Sequence, residues 1–264
     1  MTPPPPDSCL RQSRWLFILS QLPGIACLLL LFSGHWPAAL AIFWATFTLI
    51  TIGTVIPRCA LFGPLISVLP KGTNGVCLTI DDGPDPETTP RLLDILDRHQ
   101  AKALFFLIGN RAQKHPDLVR EIARRGHAIG NHSQTHPAAY FWTLRPARMW
   151  AEVAGCQQTL TQILGSAPVW FRPPVGHHNH FVSPSLRALG LTMLIWNCRG
   201  FDAVERDVSR ILRRISRSLR PGAVILLHDL TPQSGDILTA TLELIRERGL
   251  EVVLPPSPLD GDKA

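Results

Sequence analysis

Charge is scarce in this chain. Asp, Glu, Lys and Arg make up 17% of its 264 residues and hydrophobic residues 45%, a balance that excludes an intrinsically disordered protein. Paired cysteines are missing too. Cys9, Cys27, Cys59, Cys77, Cys156 and Cys198 are far apart with no metal-type spacing, which argues against a disulfide framework. The 24 prolines are scattered apart from the run Pro3–Pro6, so there is no long Pro-rich linker. Collagen, coiled coil and small disulfide scaffold are excluded, and no internal repeat or low-complexity stretch occurs.

The shortage of charge is concentrated. Between Arg14 and Arg58 lie 43 residues without one Asp, Glu, Lys or Arg. One bilayer crossing takes about 20 residues, so this stretch is long enough to cross twice. Ser33-Gly34-His35-Trp36-Pro37 reads as a turn with an interfacial Trp, giving helices at about 15–32 and 38–56. A cleaved signal peptide fits less well, because the run is too long and lacks a cleavage site followed by polar sequence. A single anchor with the second run on the surface is the alternative. Arg11 and Arg14 precede the hairpin and Arg58 and Lys71 follow it, while the turn has no basic residue. The positive-inside rule then places both ends, and the rest of the chain, in the cytoplasm of a bacterial-type inner membrane. The net charge of +6 suits an anionic lipid surface at least as well as nucleic acid, and no nucleic-acid partner is expected.

From Lys71 onward short apolar runs alternate with amphipathic helices. Strands are expected at 75–80, 103–107, 127–130, 168–171, 191–196, 223–228 and 250–254. Helices are expected near 89–99, 116–125, 145–164, 183–189, 205–220 and 235–248. Seven strands separated by helices imply a parallel sheet, as a closed or nearly closed β/α barrel or as an open doubly wound sheet. The helix at 205–220 carries Arg206, Arg210, Arg213, Arg214, Arg217 and Arg220 opposite Val208, Ile211, Leu212, Ile215 and Leu219. That is a solvated face over a core stripe, or a patch for anionic headgroups.

Polar residues follow the strands one after another. Asp81-Asp82-Gly83-Pro84 follows the first, Asn131-His132-Ser133-Gln134-Thr135-His136 the third, and Arg172-Pro173-Pro174-Val175-Gly176 the fourth; Asp202 follows the fifth, and His228-Asp229 ends the sixth. Taken singly, these are turns and surface polars. In a β/α barrel they converge on the rim where sites are built. Two histidines one helical turn apart plus a carboxylate match a catalytic metal site with three protein ligands and an open position. Zinc is the default for that set, with Co, Mn and Ni also suited. Of two adjacent aspartates, one can bind the metal while the other takes a proton from an attacking water. His228 can then supply a proton to the leaving group and Arg172 can hold the basic aspartate ionised. The chemistry is metal-assisted hydrolysis of an acyl or amide bond.

At these residues the chain resembles the polysaccharide deacetylase superfamily, whose catalytic unit is the NodB homology domain (carbohydrate esterase family 4-like). The resemblance covers about residues 74–254. Thr79-Ile80-Asp81-Asp82-Gly83-Pro84 is similar to TFDDGP with Ile80 for Phe, and His132-Ser133-Gln134-Thr135-His136 fits H-[ST]-x-x-H. Arg172-Pro173-Pro174-Val175-Gly176 is similar to RPPYG with Val175 for Tyr, and Leu226-Leu227-His228-Asp229 fits L-x-H-D. The resemblance implies a distorted (β/α)7 barrel that removes N-acetyl groups from amino sugars. It makes Asp81 the general base, Asp82, His132 and His136 the metal ligands, Arg172 the residue that orients Asp81, and His228 the general acid. The backbone N–H of Val175 would stabilise the oxyanion, with Trp196 and Leu226 lining the acyl pocket. The fourth motif departs from D-x-x-D-W, since Arg199-Gly200-Phe201-Asp202-Ala203 stands there. Asp202 is kept and can orient His228. Arg199 replaces an acid and offers a bidentate site for phosphate or carboxylate. His177, His178 and His180 form an extra cluster, either a polar loop at the mouth or a second metal site.

The expected organisation is an N-terminal tail (1–14), a two-helix membrane anchor (15–57), a linker (58–73), a NodB-like deacetylase domain (74–254) and a C-terminal tail (255–264). The expected function is removal of acetyl or formyl groups from an amino sugar on a membrane-proximal or lipid-linked glycan. Its partners are that glycan or glycolipid and the bilayer. A domain facing the periplasm and acting on peptidoglycan or exported polysaccharide is the alternative; a non-catalytic glycan-binding barrel is a third reading.

Overall fold

The computed structural model describes residues 3–258; the end of the expected C-terminal tail, 259–264, and residues 1–2 lie outside the described residues. The chain opens with α1 (Asp7–Phe32) and α2 (Trp36–Val55), both long and apolar enough to cross a membrane. They are joined by a turn in which Gly34 takes φ 79°, a left-handed conformation that glycine adopts without a Cβ clash. Trp15, Phe17, Leu22, Phe43 and Phe47 stand exposed along the pair. The first helix begins at Asp7 rather than at residue 15, and the expected tail is mostly helical. Its opening turns are held by packing: Cys9 and Ser13 are buried, Cys9 clusters with Trp150 and Ala154, and Trp150 Nε1 donates to Pro3 O at 2.7 Å.

The segment expected to be a linker is built into the barrel. Ile66 bridges Leu194, Val68 bridges Ala223, and Leu69 is buried. The domain proper then alternates β1 (Gly75–Asp81), α3 (Thr88–Arg98), β2 (Leu104–Leu107), α4 (Gly109–Lys114), α5 (Pro116–Arg124), β3 (Ala128–Asn131), α6 (Pro146–Leu164), β4 (Trp170–Phe171) and α7 (Val182–Ala188). It continues with β5 (Thr192–Met193), β6 (Cys198–Arg199), α8 (Val208–Ser218), β7 (Val224–His228), α9 (Ser234–Glu247) and β8 (Glu251–Val252). The strand order is β5-β4-β3-β2-β1-β7-β6, with β8 on the start of β1, and the strand pairs along this order are parallel. The two edge strands are consecutive in the chain, so residues 194–197 carry it from one edge to the other and curl the sheet into the expected distorted barrel.

Period-two alternation sorts the side chains of the strands. Val76, Leu78 and Ile80 of β1 pack with Leu92, Leu96 and Ile237 of the flanking helices. Cys77 packs on the other face with Leu104, Phe106 and Val224. Thr79 and Asp81 share the face of Cys77, so the pleat alone turns Asp81 into the barrel lumen.

Candidate active site

Asp81 is the last residue of β1 and lies in register with His228 of β7 and Phe106 of β2. Its carboxylate oxygen Oδ1 accepts from Arg172 Nη1 at 2.7 Å. Arg172 is fully buried and is locked by further donations to Thr79 Oγ1 at 2.7 Å and Leu194 O at 2.9 Å. The Phe106 ring lies 4.1 Å from its guanidinium carbon. Burial pulls the Arg172 pKa down while Asp81, 2.7 Å away, pulls it up.

Asp82 leaves the strand with φ 74°, so its side chain does not follow the alternation and diverges from that of Asp81. Its Oδ1 lies 3.4 Å from His132 Nε2 and 3.2 Å from His136 Nε2. Asp82, His132 and His136 are the one group of three His, Cys or acidic side chains among the described residues whose ligand atoms gather within 4.8 Å. His132 Nδ1 sits 2.8 Å from Arg172 O, a contact that places the proton on Nδ1 and leaves the Nε2 lone pair facing the cluster. Asp82 Oδ1 is buried without a hydrogen-bond partner. An orphaned carboxylate oxygen between two imidazole nitrogens fits a divalent cation. Burial, aided by the neighbouring His132, holds His136 down at about 4, so it is neutral at physiological pH. Burial pushes Asp82 up, but the nearby imidazoles of His132, His136 and His228 win and hold it well below the usual carboxylate range.

The two histidines are not on a helix, as their spacing had suggested. Ser133 and His136 both have positive φ, 64° and 55°, and a tight loop after β3 brings them together. Asn131, which the sequence reading left without a role, fixes that loop. Its amide donates to Val153 O and Gln157 Oε1, and its Oδ1 accepts from Ser133 N at 3.0 Å. The Glu152 carboxylate on α6 accepts from Thr135 N and Oγ1.

Across the lumen, His228 Nδ1 lies 3.0 Å from Asp202 Oδ1, and the His228 backbone N–H donates to Asp202 Oδ2 at 2.7 Å. Burial opposes the charge on His228, but the hydrogen bond and charge of Asp202, with Asp81 and Asp82 beyond, lift its pKa to about 9. Asp202 follows β6, a strand the sequence reading did not separate from β5. Asp229 is fully buried and accepts from the hydroxyls of Thr88 and Thr89 at the start of α3; burial outweighs these bonds and raises it to about 6.

Val175 has φ 49°, unfavourable for a β-branched residue, and its N–H has no acceptor among the described residues. Trp196 and Leu226 are buried in one cluster, and the Trp196 ring closes on Gly176, where a Cβ would come within 2.6 Å of it. The Arg199 guanidinium carbon lies 5.4 Å from the Trp196 ring and 4.0 Å from the Phe201 ring, with no carboxylate partner among the described residues. Phe201, just before Asp202, stacks on Arg199, and the position after Asp202 is Ala203. The structure does not gather His177, His178 and His180 into a ligand cluster; the rings of His178 and His180 pack on Phe62 at 6.0 and 5.8 Å.

The geometry agrees with the kinship of the chain. The family model described as polysaccharide deacetylase matches residues 69–194. A chitooligosaccharide deacetylase of Bradyrhizobium sp. (strain ANU 289) is 35% identical over 163 residues, covering 61% of this chain and 74% of that protein. A peptidoglycan-N-acetylglucosamine deacetylase of Listeria monocytogenes is 30% identical over 183 residues, covering 69% of this chain but 38% of that protein. Among solved structures, a family 4 carbohydrate esterase from Streptomyces lividans in complex with acetate superposes with a TM-score of 0.64 at 32% identity, covering 70% of this chain and 100% of that one. With the matching family model, a relative 35% identical over 74% of its length and a curled parallel barrel that superposes on a family 4 esterase, this protein belongs to the polysaccharide deacetylase family and is a deacetylase.

Proposed function

We propose that the protein is a metal-dependent N-deacetylase of an acetylated, or formylated, amino sugar on a membrane-proximal or lipid-linked glycan, working at the cytoplasmic leaflet. One observation carries the chemistry: a buried Asp82–His132–His136 ligand set flanked on one side by Asp81–Arg172 and on the other by His228–Asp202. Asp82, His132 and His136 would hold a divalent cation, Zn2+ by donor set with Co2+, Mn2+ or Ni2+ as alternatives, which when bound would supply Lewis acidity and lower the pKa of a water. Asp81, paired with Arg172, accepts the proton of the water as its oxygen attacks the acyl carbon. The Val175 N–H is free to donate to the oxygen that gains negative charge. His228, protonated and held by Asp202, gives its proton to the sugar nitrogen as the C–N bond breaks. The products are a carboxylate and an amine.

The leaflet assignment rests on Arg11, Arg14, Arg58 and Lys71 around the apolar pair and the positive-inside rule. The relatives named for peptidoglycan and chitooligosaccharide support a second reading, a domain outside the membrane acting on peptidoglycan. Acetate release from N-acetylchitooligosaccharides by the purified full-length protein, against Asp81→Asn, tests the chemistry. No release from any acylated amino sugar would leave a binding barrel. Reporter fusions at the C-terminus test the side: a signal only from the reporter that works outside would overturn the cytoplasmic assignment.

A further inference from the structure

Past residue 57, nine large apolar side chains are exposed among the described residues, and six of them are on one end of the barrel. Tyr140 and Trp142 follow β3, Val175 follows β4, Phe201 and Val204 follow β6, and Leu230 follows β7. These strands are parallel, so the six form a collar around the catalytic mouth. Val204 is the most open at 77% exposed. The other end of the barrel is unlike this. There Arg125 bridges Asp94, Asp97 and Glu121, and Lys102 reaches Asp97. A collar of bare apolar groups at one end, with paired charges at the other, marks the first as an interaction surface.

The hairpin points the same way. Cys9 of α1 packs near Leu189, just past the end of α7, whereas Trp15, Leu16 and Leu19 line a cleft with His180 and Ser183 at its start. The first helix therefore runs antiparallel to α7, toward the catalytic rim, and leaves the domain there. The returning helix α2, 20 residues from Trp36 to Val55, spans about 30 Å at ~1.5 Å per residue, matching the ~30 Å of a hydrocarbon core. The returning chain re-enters at the same level. Pro57, just past α2, lies against Gly176 of the active-site loop, 3.0 Å from where a Cβ would stand, and Phe62 packs on His178 and His180.

We infer that the catalytic rim rests on the lipid surface in which the hairpin is embedded, so that the site draws its acylated amino sugar from a carrier in the bilayer rather than from a polymer in free solution. This rests on the reading of the hairpin as a membrane anchor. The collar is continuous with the anchor, and only a lipid surface covers both at once. Sugar rings stacking on Tyr140 and Trp142 would account for two of the six but not for Val204 or Leu230.

The test is nitroxide accessibility in the full-length protein, with Cys27 and Cys59 replaced by Ser, reconstituted in phosphatidylethanolamine–phosphatidylglycerol vesicles. Single labels go on Phe43→Cys in the hairpin, Val204→Cys on the rim and Arg98→Cys at the far end. The expected result is that the label at 204 responds to dissolved oxygen over a water-soluble nickel chelate several-fold more than the label at 98, as the label at 43 does. A lipid-like signal at 43 with a water-like one at 204 overturns the docking and leaves the anchor standing. A water-like signal at 43 as well overturns both. Neither outcome touches acetate release, which tests the deacetylase chemistry separately.

Discussion

Replacing Asp202 by Asn removes the strongest support for a proton on His228 while keeping the shape of the side chain. In the metal-free protein the His228 pKa is lifted from 6.5 to about 9. At about 1.4 kcal/mol per unit, that is ~3 kcal/mol of preference for the imidazolium. A bound divalent cation offsets the Asp81 and Asp82 charges, so in the loaded site Asp202 carries most of what is left. Charge and hydrogen bond together account for roughly one to two units in such pairs. A general acid must be protonated, so activity falls as pH rises through its pKa. Asp202→Asn should therefore move the alkaline limb of kcat/KM for acetate release down by about one to two units. From a parent value of about 9, the variant should lose ~3- to 25-fold at about pH 8.5, and below about pH 6 far less. An unshifted limb with the same loss at every pH would refute this and leave Asp202 a packing residue. The stability sign is set by the same shift. A raised folded-state pKa gives stabilisation that is complete below 6.5 and lost as pH rises through about 9, and in apo-protein melts Asp202→Asn should flatten that slope.

Arg172→Met leaves Asp81 buried with no counter-charge, and should cost ~3–5 kcal/mol in urea unfolding; Asp81→Asn on the same background should recover part of it, and full additivity would show that the pair is not coupled. Chelation should abolish acetate release, and Zn2+ or Co2+ should restore it. Val175→Gly should relieve the φ of 49° and raise unfolding stability by ~1 kcal/mol, while Val175→Ala should not; equal effects would mean the loop is unstrained.

Strands with a full ladder were legible because alternation and burial agree in them: β1, β2 and β7 fall within a residue of the expected 75–80, 103–107 and 223–228. The runs at 168–171 and 191–196 are apolar enough to read as strands, yet only two residues of each lie in a strand. Pro168 gives its carbonyl to Gln157, and Leu194 bridges Ile66 from a segment that sequence marks as a linker. Such burial without a ladder depends on distant segments and leaves no periodic trace. The short α4 has no apolar stripe to announce it, and β6 is two residues long. In the site the reactive side chains were legible because each follows a strand. What holds them was not, since Asn131, Thr79 and Glu152 act through bonds to residues that only the fold brings near.

The centre and the rim of this site answer to different constraints. At the centre each buried charge is matched: Arg172 to Asp81, His228 to Asp202, and Asp82 to two imidazoles and the cation they fit. Loss of one partner strands another charge in the barrel, so substitution there is costly. On the rim the constraint is weaker. Arg199 stands where relatives in the superfamily carry an acid, and its half-buried guanidinium finds no carboxylate but two aromatic faces, Trp196 and Phe201. A cation stacked on rings keeps most of its charge available to an incoming group. The wall of the pocket thus gains a positive charge without the need for a new internal partner.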